Sequence, residues 1–200
     1  MRGLRKIEEA ADEFEFVFDG KTVLDVGSST GGFTEYALRQ GAKEVIAIEK
    51  GTNQMKAPLR FDSRIELHEK TDIFEFGFAD REALPDVVVA DVSFVSLKKV
   101  LSRLKTEFLK WQKPGGNEGE TRQKSTQKID FLVMLKPQFE ARPEQLNRGV
   151  VKNEKMRRAI IKDFEDWLKR DGFLVVKKRD NSLAGKHGNV ERFYWLRSAS

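Results

Sequence analysis

Asp25, Glu49, Asp91 and Lys136 each close or follow a short apolar run in this 200-residue sequence. Carboxylates and an amine in such places can hold a cationic ligand and take a proton from a nucleophile. A free lysine, with a pKa of about 10.4, is a poor base at neutral pH. A second cation nearby, or loss of solvent, would lower that value and make Lys136 usable. Each residue also has a plainer reading: Lys136 as a strand-end lysine reaching solvent, Asp91 as a helix cap, and Glu191, further along, as a surface charge.

The ligand is read from the turn after Asp25. The stretch Val23-Leu-Asp-Val-Gly-Ser-Ser-Thr-Gly-Gly-Phe-Thr34 predicts strand, tight turn and helix, ended by Gly41. Gly27, Ser28, Ser29, Gly31 and Gly32 let a ligand approach the backbone, and the helix start, with Thr30 and Phe33, offers free N–H groups. The next strand, 44–48, ends on Glu49, placed for a ribose hydroxyl pair. Asp72 follows a third strand, where it could accept from an adenine amino group. The glycine order is Gly-x-x-x-Gly-Gly, not the G-x-G-x-x-G of dinucleotide sites. A carboxylate two residues before Gly27 is unwelcome beside a pyrophosphate but suits the sulfonium of S-adenosylmethionine. That cofactor is therefore expected, and NAD is not. Gly20-Lys-Thr22 looks like part of a phosphate loop, but it precedes the strand and has Glu15 where a glycine is required.

Methyl transfer from a sulfonium is an in-line displacement, so an enzyme mainly aligns the nucleophile and removes its proton. The chain has no cysteine, which excludes the cysteine adduct of cytosine C5 methylation. Exocyclic amine methylation goes with an Asn/Asp-Pro-Pro-aromatic tetrapeptide after the fourth strand, and here that position reads Asp91-Val-Ser-Phe94. A hydroxyl nucleophile remains, and it needs a base.

These side chains must be held by a frame. Residues 3–14 have the spacing of an amphipathic helix, with Leu4, Ile7, Ala11 and Phe14 on one stripe and Lys6 off it. A short helix broken by Pro58 is expected over 53–60, a strand over 64–68, and a fully covered strand over 85–90. A helix follows over 95–111, then a polar surface loop at 113–128. Strand 129–135 ends on Lys136-Pro137, and a polar crossover leads to a helix over 153–170. Strands 173–178 and 190–196 close the chain. Strands alternating with helices, then a closing pair, predict one α/β domain: a doubly wound, mostly parallel sheet with an antiparallel strand near one edge. That is the Rossmann-like layout of class I methyltransferases, whose ligands sit at the carboxyl ends of the strands.

Charged residues make up 34% of the sequence, the net charge is +5 and the pI about 9.3, a balance that favours a polyanionic partner. Stretches such as Lys98-Lys99, 152–158 and 177–179 are candidates for phosphate contacts around the site. Without cysteine and with only His68 and His187, no metal centre is expected. No apolar run approaches the roughly 20 residues of a membrane span, and the start is no signal peptide, so a cytoplasmic protein is expected.

The segments VLDVGSSTGGFTE, PDVVVADVSFVSLKKVL, VMLKPQFE, RGVVK and GNVERFYWLR resemble the TlyA, or hemolysin A-like, family of FtsJ-type RNA ribose 2′-O-methyltransferases. The resemblance covers nearly the whole chain. It implies a catalytic Lys-Asp-Lys-Glu set falling on Lys6, Asp91, Lys136 and Glu191, with Arg5 the alternative to Lys6. In that set Lys136 is the base, Lys6 and Glu191 tune and orient it, and Asp91 positions the ammonium. The implied substrate is a cytidine ribose in ribosomal RNA or in ribosomal subunits. Family members also carry a small N-terminal RNA-binding domain that this sequence lacks, so weak and poorly selective RNA binding by this chain is expected. Two rivals remain: a methyltransferase for a small molecule, and a non-catalytic RNA-binding or hemolysin-like protein.

Overall fold

The computed structural model describes residues 2–112, 128–183 and 188–198. The predicted loop at 113–128 lies outside these residues except for its last position, as do residues 184–187 of the loop before Val190.

The strands are β1 (Thr22–Val26), β2 (Glu44–Ile48), β3 (Ile65–His68), β4 (Val87–Ala90), β5 (Asp130–Leu135), β6 (Leu146–Asn147), β7 (Val150–Val151), β8 (Phe173–Asp180) and β9 (Arg192–Ser198). The helices are α1 (Arg2–Phe14), α2 (Gly32–Arg39), α3 (Leu97–Trp111), α4 (Pro137–Glu140) and α5 (Glu154–Arg170). Seven strands form one sheet in the order β3-β2-β1-β4-β5-β9-β8. The first five run parallel, and β9 lies antiparallel between β5 and β8. The order turns back between β1 and β4, which opens a crevice at their carboxyl ends.

Both faces of the sheet are covered, which is why β4 is apolar at every position. In β4, Val88 and Ala90 face a core shared with Leu101, Leu104 and Phe164 of α3 and α5. Val87 and Val89 face the opposite core, with Ile7 and Phe14 of α1 and Phe33 of α2. No helix among the described residues is long and apolar enough to cross a membrane.

Two segments depart from the sequence reading. Residues 53–60 form no α-helix, only a 3-10 turn at Leu59–Phe61. Pro58 lacks an N–H and biases Ala57 away from helical geometry, and Asn53 takes a left-handed φ of 54°. The crossover after β5 is ordered: α4 is followed by the small antiparallel ribbon β6–β7. Its turn residues Arg148 and Gly149 both have positive φ, at 47° and 80°, as a two-residue hairpin turn needs. Lys6 also departs from its expected place. It is buried, at 7% exposure, beside Ile7, Ala10 and Ala11.

Candidate active site

A cavity of about 650 Å³ opens at the ends of β1, β2 and β4. Gly27, Ser29, Glu49, Asp72, Asp91 and Phe94 are among its lining residues, with Ile73, Phe74 and Val92 as apolar wall. Gly27 has a φ of +80°, and a Cβ there would stand 3.3 Å from the Asp91 carbonyl oxygen, so this glycine lets the ends of β1 and β4 approach.

The carboxylates around this cavity have distinct surroundings. Glu49 staples the turn: one oxygen accepts from the Ser29 N–H at 2.8 Å, the other from the Gly51 N–H at 2.5 Å and Gln54 Nε2 at 3.1 Å. Asp72 accepts from Lys50 Nζ at 2.9 Å and from the Phe74 N–H at 3.1 Å. Asp25 does not line the cavity but lies fully buried beneath it, accepting from Thr34 Oγ1 at 2.6 Å. Its burial pushes the carboxyl up to about 7, against the opposing effect of the Thr34 hydrogen bond. Among the described residues, Asp25 Oδ1 and the buried Ser28 Oγ have no hydrogen-bond partner.

Thr30, Gly31, Gly32 and Phe33 do not line the cavity. Thr30 opens onto a neighbouring groove with Leu59 and Phe61. Gly31 is held at φ +88° against Leu59 and Met55, and Gly32 lies against the backbone of Gly3 and Leu4. Phe33 is buried and stacks near Phe193, centroids 6.1 Å apart. These residues meet other parts of the chain, a need that sequence spacing does not separate from ligand approach.

Beside the cavity stand two lysine–carboxylate pairs. Lys136 follows β5 and Asp91 follows β4, its parallel neighbour, and Lys136 Nζ lies 2.6 Å from Asp91 Oδ1. That contact is an ion pair without hydrogen-bond alignment; the aligned hydrogen bond goes from Lys136 Nζ to Ser93 Oγ at 2.7 Å. The second pair joins Lys6 of α1 to Glu191, both nearly closed to solvent. Asn181 Nδ2 also donates to Glu191, at 3.4 Å. Arg192 is registered opposite Leu135, so the same register carried one residue further sets Glu191 opposite Lys136. Arg5 is exposed, so the lysine that meets Glu191 is Lys6.

Sequence reading missed Ser93, Asn181 and an aromatic pair at the rim. Phe94 is 91% exposed, with a left-handed φ of 62°, and its ring lies 5.1 Å from that of Phe139. Lys136 Nζ is 6.0 Å from the Phe139 centroid. A phenylalanine soon after the end of each of two neighbouring parallel strands was the available signal. The basic stretches have partners within the chain. Lys98 pairs with Asp163, Lys178 with Glu165, Arg179 with Glu13, and Arg157 is buried against Asp180. Much of that charge is paired with the chain's own carboxylates.

A mostly parallel sheet with its crevice at the β1–β4 reversal, walled by carboxylates and apolar side chains, defines a class I methyltransferase. The donor set fits S-adenosylmethionine: acidic residues for a diol and a cation, an apolar wall for a flat base, and two buried polar atoms still without partners. The chain belongs to the FtsJ-like methyltransferase family, which is matched over residues 1–198. It is 32% identical over 199 residues to the 23S rRNA (cytidine-2′-O)-methyltransferase TlyA of Campylobacter jejuni, covering 97% of this chain and 69% of that one. It is 33% identical over 192 residues to YqxC of Bacillus subtilis, covering 95% of this chain and 62% of YqxC. A solved structure from Lactococcus lactis, described under the hemolysin name, superposes with a TM-score of 0.84 at 33% identity, covering 98% of this chain and 87% of that one. The chain thus spans about two-thirds of the length of these curated relatives.

Proposed function

We propose that this chain methylates a ribose 2′-hydroxyl of ribosomal RNA, that of a cytidine, with S-adenosylmethionine as donor. The observation that carries the proposal is Lys136, held by Asp91 and Ser93 at the edge of the cofactor cavity with the exposed Phe94 ring beside it. Bound S-adenosylmethionine supplies a methyl group on a cationic sulfur, which leaves as a neutral thioether. The chain's own part is to bring a hydroxyl into line and receive its proton. Lys136 Nζ, in its neutral form, takes that proton, and Asp91 and Ser93 hold the resulting ammonium. Lys6 and Glu191 fix the neighbouring wall. Glu49, Asp72 and Gly27 hold the donor, with Asp25 and Ser28 beneath. Phe94 offers a flat face on which a base can stack next to the reacting ribose. Ribosomal RNA as the acceptor follows the name of the Campylobacter jejuni relative.

The test is to incubate the protein with methyl-labelled S-adenosylmethionine and unmodified ribosomal subunits, then map blocked 2′-hydroxyls. Label at a cytidine 2′-oxygen is expected. Label on a base, or transfer only to small molecules, overturns the assignment.

A further inference from the structure

We infer that Gly32 is a positioning residue for Lys6: the first turn of α2 seats the first turn of α1, and that seat sets where Lys6 meets Glu191. The inference rests on the reading of Lys6 as a member of the catalytic set.

Gly32 is the first residue of α2 and takes no left-handed φ, so backbone conformation does not demand a glycine there. Alanine would in fact favour the helix. What demands glycine is space. A Cβ on Gly32 would stand 2.8 Å from the Leu4 backbone nitrogen, 3.0 Å from the Gly3 carbonyl carbon and 3.1 Å from Gly3 Cα. All three are backbone atoms, which cannot rotate aside as a side chain would. Ordinary contact begins at 3.4 Å, so α1 would have to retreat by about 0.6 Å (3.4 minus 2.8). The contact is not symmetric. A Cβ on Gly3 would lie 3.7 Å from Gly32 Cα, which is ordinary packing.

The retreat would reach the catalytic set because of helical spacing. Gly3, Lys6, Ile7 and Ala10 stand three, four and seven residues apart and so share one face of α1. Ile7 and Ala10 on that face are buried at 0% and 1% exposure, leaving α1 no slack to pivot around its first turn. Lys6 is one turn beyond the contact, and its partner Glu191, just before β9, is held by Asn181, just after β8. A shift of α1 therefore moves one partner and not the other. Displacements approaching 1 Å in a catalytic constellation are of the order that costs about a hundredfold in rate.

The experiment compares single-turnover methylation rates and S-adenosylhomocysteine affinity for wild type, Gly32→Ala, Gly3→Ala, Lys6→Met and the double variant Gly32→Ala/Lys6→Met. Gly32→Ala is expected to lose tenfold or more in rate with affinity within threefold of wild type, while Gly3→Ala stays within threefold in both. The double variant should be no slower than Lys6→Met, because a misplaced lysine and an absent one are the same defect. Multiplying effects in the double variant, or lost affinity in Gly32→Ala, would overturn the inference and return Gly32 to the cofactor turn. Where Gly32→Ala does not fold, Gly3→Val crowds the same contact from the α1 side and carries the same expectations. An undiminished rate in Lys6→Met would instead sink the catalytic reading of Lys6. The seating claim is then decided separately by a crystal structure of Gly32→Ala, in which an unmoved Lys6–Glu191 pair overturns it.

Discussion

Lys6–Glu191 and Lys136–Asp91 are the same two chemical groups in two different settings. The first joins residues 185 apart in sequence, with side chains 8% and 5% exposed. The second joins the ends of neighbouring parallel strands, with side chains 10% and 24% exposed, and it opens toward the cavity and the Phe94 ring. A closed pair has no room for substrate and acts by fixing its surroundings. An open pair can exchange its carboxylate partner for a reacting hydroxyl. Under the proposed function, this difference suits Lys6 to positioning and Lys136 to proton transfer, the division that the resemblance also implies.

The largest effect expected from this contrast is on rate at the open pair. Lys136→Ala should keep cofactor affinity and lose at least about a hundredfold in methyl transfer, the scale of a general base. Lys136→Arg should be nearly as poor, because guanidinium does not give up its proton at workable pH. Single-turnover assays with both variants decide this, and an active arginine enzyme would break the contrast.

Stability should respond in the opposite order. Lys6→Met strands Glu191 as a buried charge without its cation, at a cost of about 3–5 kcal/mol. Lys136→Ala leaves Asp91 with access to solvent and should cost far less. Urea melts of the two variants side by side check the ranking, and equal losses would show that burial does not separate the pairs.

Asp25 sharpens the comparison as a buried carboxylate with no ion-pair partner among the described residues. Its carboxyl is raised to about 7, so between about pH 4 and pH 7 the folded chain holds a proton that the unfolded chain has released. The stabilisation is complete below that window and is lost as pH rises through it. Asp25→Asn keeps an acceptor for Thr34 without the charge. It should therefore be more stable than wild type above pH 7, by an amount on the order of a few kcal/mol, and should lose that advantage near pH 4. Thermal melts at pH 5 and pH 8 test this; a constant difference between the two variants would contradict the assigned cause.

Much of the frame was legible because periodicity reports burial. Strand β2 occupies the predicted residues, and α3 and α5 lie within two residues of prediction, since each carries its own apolar pattern and end signals. The cavity carboxylates Glu49, Asp72 and Asp91 were legible for a related reason: in a parallel sheet, ligand-facing residues come just after the strands. The helix expected at 53–60 failed because Pro58 overrides spacing, and the β6–β7 ribbon was missed because two-residue strands leave no period to detect.

What the chain determined locally, then, was the order of strands and helices, the Gly27 turn and the absence of any cysteine route. Only the tertiary structure decided that Lys6 is buried against Glu191, because it is covered by elements far away in sequence and its own helix marks it as polar. Tertiary contact also separated the glycines, with Gly27 at the cavity and Gly31 and Gly32 against Leu59, Met55 and α1. It likewise paired much of the basic stretches with the chain's own acids at the surface. Spacing along a chain fixes which residues share a face. What that face meets is set by contacts between distant segments, and those exist only once the sheet has brought them together.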